Sequence, residues 1–108
     1  MRTLQEFKAT LFRALASPVR IRILEELRDG PVTVAELQRR LNLDSSNVSQ
    51  HLAVLRAGGL VVGRREGNNV LYSAEEWQLY GLLDVARTIF ENQVSAGRRL
   101  LETHDSSG

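Results

Sequence analysis

The sequence predicts a mainly α fold carrying one small β-hairpin, with its elements in the order α-α-α-α-β-β-α. Three observations carry this expectation. Apolar residues recur at three- and four-residue spacing through most of the chain, the mark of helices with one buried face. Residues 60–73 read instead as two strands joined by Glu66-Gly67-Asn68-Asn69, and Gly and Asn tolerate the positive φ of a tight turn. The length of 108 residues and the 43% hydrophobic content suit one domain, residues 1–108, with a modest core.

Leu4, Phe7, Leu11, Phe12 and Leu15 form a stripe at helical spacing, which predicts a first helix over residues 3–15. Ser17-Pro18 then starts a second helix, with Ser as N-cap and Pro at the first helical position. That helix runs through "VRIRILEELRDG", with Ile21, Ile23, Leu24 and Leu27 facing inward and Gly30 taking the left-handed cap. Thr33 followed by Glu36 fits a capping box for a short third helix, "VAELQRRL", which buries Val34, Leu37 and Leu41. Asn42-Leu43 is the turn. Asp44 is the expected N-cap of a fourth helix, and Gly58-Gly59 ends it.

The strands are expected at Leu60–Arg65 and Val70–Ser73. A last helix, residues 75–101, presents Leu79, Leu82, Leu83, Ala86, Ile89, Phe90 and Val94. At ~1.5 Å per residue it spans roughly 40 Å, more than a domain this small covers alone. The tail "ETHDSSG", residues 102–108, is expected to fray. Two short helices joined by a tight turn and followed by a two-stranded hairpin describe a winged helix-turn-helix.

Composition narrows the function. The chain has no cysteine, which excludes disulfides, thiolate metal sites and thiol redox sensing. No apolar run approaches the ~20 residues of a membrane span, and "MRTLQEFKATLF" has no signal-peptide pattern, so a cytoplasmic protein is expected. The net charge of +1 hides an asymmetry: residues 13–65 hold nine arginines against five acids, net +4, and residues 66–108 are net −4. A basic centre suggests a polyanionic partner. There is no Gly-rich phosphate loop, no metal triad and no nucleophile paired with a base, so an enzyme is not expected. His51 and Ser49 are two residues apart on one helix and face different sides.

The fourth helix is the informative one. "SSNVSQHLAVLRAGGLV" turns Val48, Leu52 and Leu55 inward and places Ser46, Asn47, Ser49 and Gln50 with Ala53 and Ala57 on its other sides. An ordinary solvated face carries Lys and Glu. Amides and hydroxyls both donate and accept hydrogen bonds, as base edges in a major groove demand. Gln50 is the best candidate base reader, and Ser45 suits a backbone phosphate. Arg56, Arg64 and Arg65 suit flanking phosphates, and the helix N-terminus adds partial positive charge. Asn68 and Asn69 are turn formers that also suit a phosphate or minor-groove contact at the wing tip. His51, beside the core stripe, reads as a packing or phosphate-contacting residue rather than a ligand.

The stretches "LFRALASPVRIRILEEL", "VAELQRRLNLDSSNVSQHLAVLRAGGLV" and "RREGNNVLYS" resemble the ArsR/SmtB family of bacterial transcriptional regulators over roughly residues 11–73. The resemblance implies a winged-helix homodimer built on the first and last helices, with Leu4, Phe7, Leu11, Leu82, Ala86, Ile89 and Phe90 at the interface. It also implies binding to double-stranded operator DNA, usually as a repressor released by a ligand. The chain departs from the family's common sensor sites. Thr33 and Ala35 stand where thiolates are found. Glu76, Gln78, Ile89 and Asn92 stand where carboxylates and histidines are found, and Ile89 coordinates nothing. No tight metal site is evident and the cofactor is unknown. Glu102, His104 and Asp105 form a weak candidate cluster. An atypically bound metal, an organic ligand or a separate sensor protein each remains open as the effector. The alternative is a winged helix used for protein–protein contact, or an activator working with a separate sensor subunit.

Overall fold

The computed structural model describes the backbone of residues 2–107 and the side chains of residues 2–101. The elements run α1 (Leu4–Leu15), α2 (Pro18–Glu26), β1 (Val32–Thr33), α3 (Val34–Leu41), α4 (Ser45–Ala57), β2 (Val61–Glu66), β3 (Asn69–Ala74) and α5 (Gln78–Ser107). The chain divides into two compact units, residues 1–76 and residues 77–108.

Local side-chain chemistry sets the helix starts. Thr3 and Glu6 form a reciprocal capping box on α1, with Glu6 N–H donating to Thr3 Oγ1 at 3.1 Å. Ser17 caps α2 by accepting from Arg20 N–H, with Pro18 at the first position as expected. Helix α2 stops at Glu26, earlier than the sequence suggests, and residues 27–29 turn to Gly30, whose φ of 142° suits glycine. The expected capping box of α3 is only half formed. Thr33 accepts from Glu36 N–H, but the Glu36 carboxylate is drawn to Arg39 and Arg40 instead.

The turn between α3 and α4 is made by Asn42, at φ 55°. Leu43 N–H returns to Gln38 C=O at 3.1 Å and Asn42 N–H to Arg39 C=O at 3.3 Å, which satisfies carbonyls that the helix end would leave bare. The end of α4 repeats this pattern with Gly59 at φ 74° and Leu60 N–H bonded to Leu55 C=O at 3.0 Å. Leu55 and Leu60 are both buried, the apolar contact that accompanies such an end.

The core of the first unit includes the fully buried Ile23, Leu24 and Leu27 of α2 and its turn, Leu37 of α3, and Val48, Leu52 and Leu55 of α4. Burial of each such side chain contributes ~1.5–3 kcal/mol. Ile21 and Val34, expected inside, are only half-buried.

The sheet has three strands in the order β1-β3-β2, where the sequence suggests only a hairpin. Val32 pairs with Tyr72 and Thr33 with Leu71. In the hairpin itself Glu66 pairs with Asn69, so the loop is Gly67-Asn68, two residues rather than four. Positive φ is confined to Gly67, at 61°, and neither wing asparagine adopts it.

The second unit is α5. It begins at Gln78 rather than Glu75, and its backbone stays helical to Ser107, past the expected end at Leu101 and through most of the tail expected to fray. Trp77 precedes it, with its ring 5.4 Å from that of Tyr80. Leu79 and Tyr80 are buried, Leu82 and Leu83 half-buried, and Ala86, Ile89, Phe90 and Val94 exposed.

Candidate nucleic-acid interface

Asp44 opens α4 by accepting Asn47 N–H at 2.8 Å, and the Asn47 side-chain amide donates to the other carboxylate oxygen at 3.3 Å. The Asn47 amide is thus held against the cap, not turned freely outward. Ser45, Ser46, Asn47, Ser49 and Gln50 are all exposed, while Val48, Leu52 and Leu55 are buried. The first turn carries no acid inside the helix. One side of the helix is therefore core and the other offers hydroxyls and amides without formal charge.

A cleft of about 420 Å³ lies beside this helix. Ser49, Leu52 and Arg56 of α4 line one wall, Thr33, Val34, Ala35 and Gln38 another, and Asn68, Asn69, Val70 and Tyr72 of the hairpin a third. The fold thus gathers Ser49, Arg56, Asn68 and Asn69, which are scattered in sequence. Ser45, Ser46, Asn47, Gln50, Arg64 and Arg65 do not line it. Gln38 and Tyr72 are additions that sequence reasoning missed. Gln38 had a signal: it is an amide whose neighbours at three- and four-residue spacing, Val34, Ala35, Leu41 and Asn42, carry no charge, on a helix otherwise rich in charge.

Arg64 and Arg65 are separated by the pleat. Arg65 stands opposite Val70 and Arg64 opposite Leu71, so the two side chains leave opposite faces of the ribbon. Arg64 also reaches Glu66 Oε1 at 3.5 Å, an exposed pair of little energetic weight. Arg56 does not project freely: its Nη1 donates to the Tyr72 hydroxyl at 2.9 Å. Tyr72 in turn needs Gly63 across the ladder, where an added Cβ would lie 2.9 Å from the ring Cζ.

The basic centre is less available than its net charge suggests. Arg39 and Arg40 both bind the Glu36 carboxylate, and Arg40 Nη1 also reaches Glu26 at 3.0 Å. Hydrogen bonds from Arg39 first, then Arg40, hold the Glu36 carboxyl down to about 2. Arg20 is spent on structure. Its Nε donates to Ala14 C=O at 2.6 Å, its Nη2 to Arg13 C=O at 3.0 Å, and its Nη1 lies 3.3 Å from His51 Nδ1. Arginine only donates, so Nδ1 accepts and a neutral ring carries its proton on Nε2. His51 is half-buried, and this bond gives it a packing role linking α4 to α2.

Thr33 and Ala35, at family thiolate positions, line the cleft wall, and neither supplies a metal ligand of strength. Glu102, His104 and Asp105 lie outside the residues whose side chains are described. Among the described residues no group of three or more His, Asp or Glu side chains is gathered, and no helix is long and apolar enough to cross a membrane.

The chain matches the model of a helix-turn-helix domain over residues 15–64. It is 42% identical over 106 residues to an uncharacterized HTH-type transcriptional regulator, Rv0081 of Mycobacterium tuberculosis, covering 97% of this chain and 93% of the relative. The crystal structure of M. tuberculosis Rv0081 superposes with a TM-score of 0.78 at 43% identity, covering 88% of this chain and 96% of that one. The M. tuberculosis repressor SmtB is 46% identical over 69 residues, covering 64% of this chain and 51% of SmtB. The homodimeric winged helix-turn-helix DNA-binding domain Mb0332 of Mycobacterium bovis, a possible ArsR-family regulator, superposes with a TM-score of 0.75 at 26% identity, covering 84% of each chain.

Proposed function

We propose that the chain, a member of the ArsR/SmtB family of winged helix-turn-helix transcriptional regulators, is a cytoplasmic, homodimeric repressor that places α4 in the major groove of its operator. The observation that carries this reading is the exposed, uncharged face of α4, with Ser46 and Gln50 one turn apart. Gln50 meets a base edge, where its amide donates and accepts at once. Ser45, at the helix N-terminus, meets a phosphate drawn by the partial positive charge of that helix end. Ser49 and Arg56 enter from the cleft side. Asn68 and Asn69 meet the backbone or the minor groove at the wing tip. Arg65 and Arg64, on opposite faces of the ribbon, hold different phosphates, and these contacts set register rather than sequence.

The exposed apolar surface supports the homodimer. On α1, Leu4 is 61% and Phe7 47% exposed, and Leu11 is half-buried. On α5, Ile89 is 52% and Phe90 65% exposed. Together with Leu82 and Ala86 these form the two-fold contact, each face meeting its counterpart in a second copy. Patches of this kind on a lone chain would favour aggregation.

Fluorescence anisotropy with a duplex from upstream of the chain's own gene, against random duplex at the same salt, tests the DNA reading. Tighter binding to the upstream duplex is expected, and equal affinity for both would overturn sequence-specific repression. Sedimentation at micromolar concentration should give twice 12.1 kDa, and a monomer there would overturn the dimer.

A further inference from the structure

We propose that Tyr72 and Gly63 of the wing are positioning residues for Arg56, holding its guanidinium at the cleft so that it meets a DNA phosphate already ordered. This rests on the DNA-binding reading above and adds to it a specific link between wing and recognition helix.

Tyr72 sits on the central strand β3, between Val32 of β1 and Gly63 of β2. It is buried at 6% exposure. Its ring passes over the backbone of Gly63, where an ideal Cβ would lie 2.9 Å from Cζ, 3.1 Å from Cε1 and 3.2 Å from the hydroxyl oxygen. Any side chain at position 63 would displace the ring, so glycine there is a requirement of the ring's placement. The ring in turn puts its hydroxyl oxygen 2.9 Å from Arg56 Nη1.

The chemistry of the acceptor matters. Arg39 and Arg40 are held by carboxylates, which cancel their charge. Arg56 is held by a phenol hydroxyl, which accepts the hydrogen bond without bringing a carboxylate's charge. One of five guanidinium N–H donors is used, and the remaining four and the full positive charge stay available. An arginine otherwise loses much rotamer freedom when it binds a phosphate. Here the protein has already imposed part of that order. Ser49, Asn68 and Asn69 line the same cleft, so the held guanidinium stands among polar groups of both helix and wing.

The test uses the full chain and a random-sequence duplex, because phosphate contacts are sequence-independent. Affinity is measured by anisotropy at several salt concentrations. Arg56→Ala should lower the salt slope by about one unit. Tyr72→Phe should weaken binding roughly three- to ten-fold, the scale of a lost ordering effect, with the slope unchanged because the charge still reaches its phosphate. Gly63→Ala should act like Tyr72→Phe. In the Arg56→Ala background both wing substitutions should cost nothing further. Equal losses in both backgrounds would mean general damage to the sheet and overturn the proposal. So would Tyr72→Phe binding like wild type. If Gly63→Ala does not fold, Tyr72→Phe, which removes a single oxygen, still decides. A wild-type chain that binds no duplex even at low salt would overturn the underlying DNA reading instead.

Discussion

Helices α3 and α4 follow one another, each opened by a side-chain cap and each closed on a left-handed residue, and their solvent faces differ in kind. Helix α3 carries the half-buried Glu36 and the exposed Arg39 and Arg40, which bind one another and Glu26. Its charges are spent before any partner arrives. Helix α4 exposes Ser45, Ser46, Ser49 and Gln50, neutral groups whose capacity is open to water or to a ligand. Both helices contribute fully buried leucines to one core, so the difference does not lie in what holds them. A face neutralised by its own ion pairs is inert toward a polyanion, whereas a face of small donors and acceptors can exchange water for base edges at little electrostatic cost.

The shared half of that comparison is the easiest to break. Leu37→Ala in α3 and Leu52→Ala in α4 should each cost ~2–5 kcal/mol in urea unfolding, since both are fully buried and leave a cavity. A loss well under that at one site alone would show that the two helices do not share their core equally. The contrasting half is tested by Gln50→Ala, which should cost roughly 1–3 kcal/mol on the operator and little on random duplex, with folding stability unchanged. Equal weakening on both duplexes would move sequence reading to the wing or to DNA shape.

Salt dependence sharpens the contrast among arginines. Arg65→Ala should lower the salt slope by about one unit on any duplex. Arg39→Ala should leave it almost unchanged, because that guanidinium already neutralises Glu36. The smallest effect is in acid. The Glu36 carboxyl is held down to about 2, below the ordinary carboxyl value of 4.5, by hydrogen bonds from Arg39 and Arg40. A depressed folded value means that its contribution is complete above pH 4.5 and lost as pH falls toward 2. The stability difference between wild type and Glu36→Gln should therefore be flat from neutral pH to about 4.5 and close below it, when followed by thermal unfolding. A difference that changed between pH 7 and 5 would put some other group in control.

What could be read from the sequence divides along the same physical line. Ser17, Thr33 and Asp44 announce helix starts because a cap bonds a backbone N–H only three residues away. The stripe of Val48, Leu52 and Leu55, and hence the exposed face of α4, follows from helical spacing alone. Strand β1 could not be read, because two residues become a strand only through partners about forty positions further along, Leu71 and Tyr72. The roles of Arg20 and Arg56 were hidden for the same reason. One grips carbonyls of α1 and His51 of α4, the other a tyrosine of the wing, and nothing in the neighbouring residues marks either. Arg64 and Arg65 look equivalent as a pair of basic letters. The pleat makes them opposites.

The two-residue strand β1 also bears on how the wing breathes. Because it pairs with β3, the root of the wing is a strand bonded on both sides, continuous through Thr33 with the first turn of α3. The N–H groups of Leu71 and Tyr72 leave opposite sides of β3, so exchange at whichever of the two faces β1 requires an opening that also loosens the start of α3, whereas Asn69 and Glu66 at the tip are tied to one neighbour. The root of the wing is thus tied through β1 to the helix beside α4, while its tip is held by a single neighbouring strand.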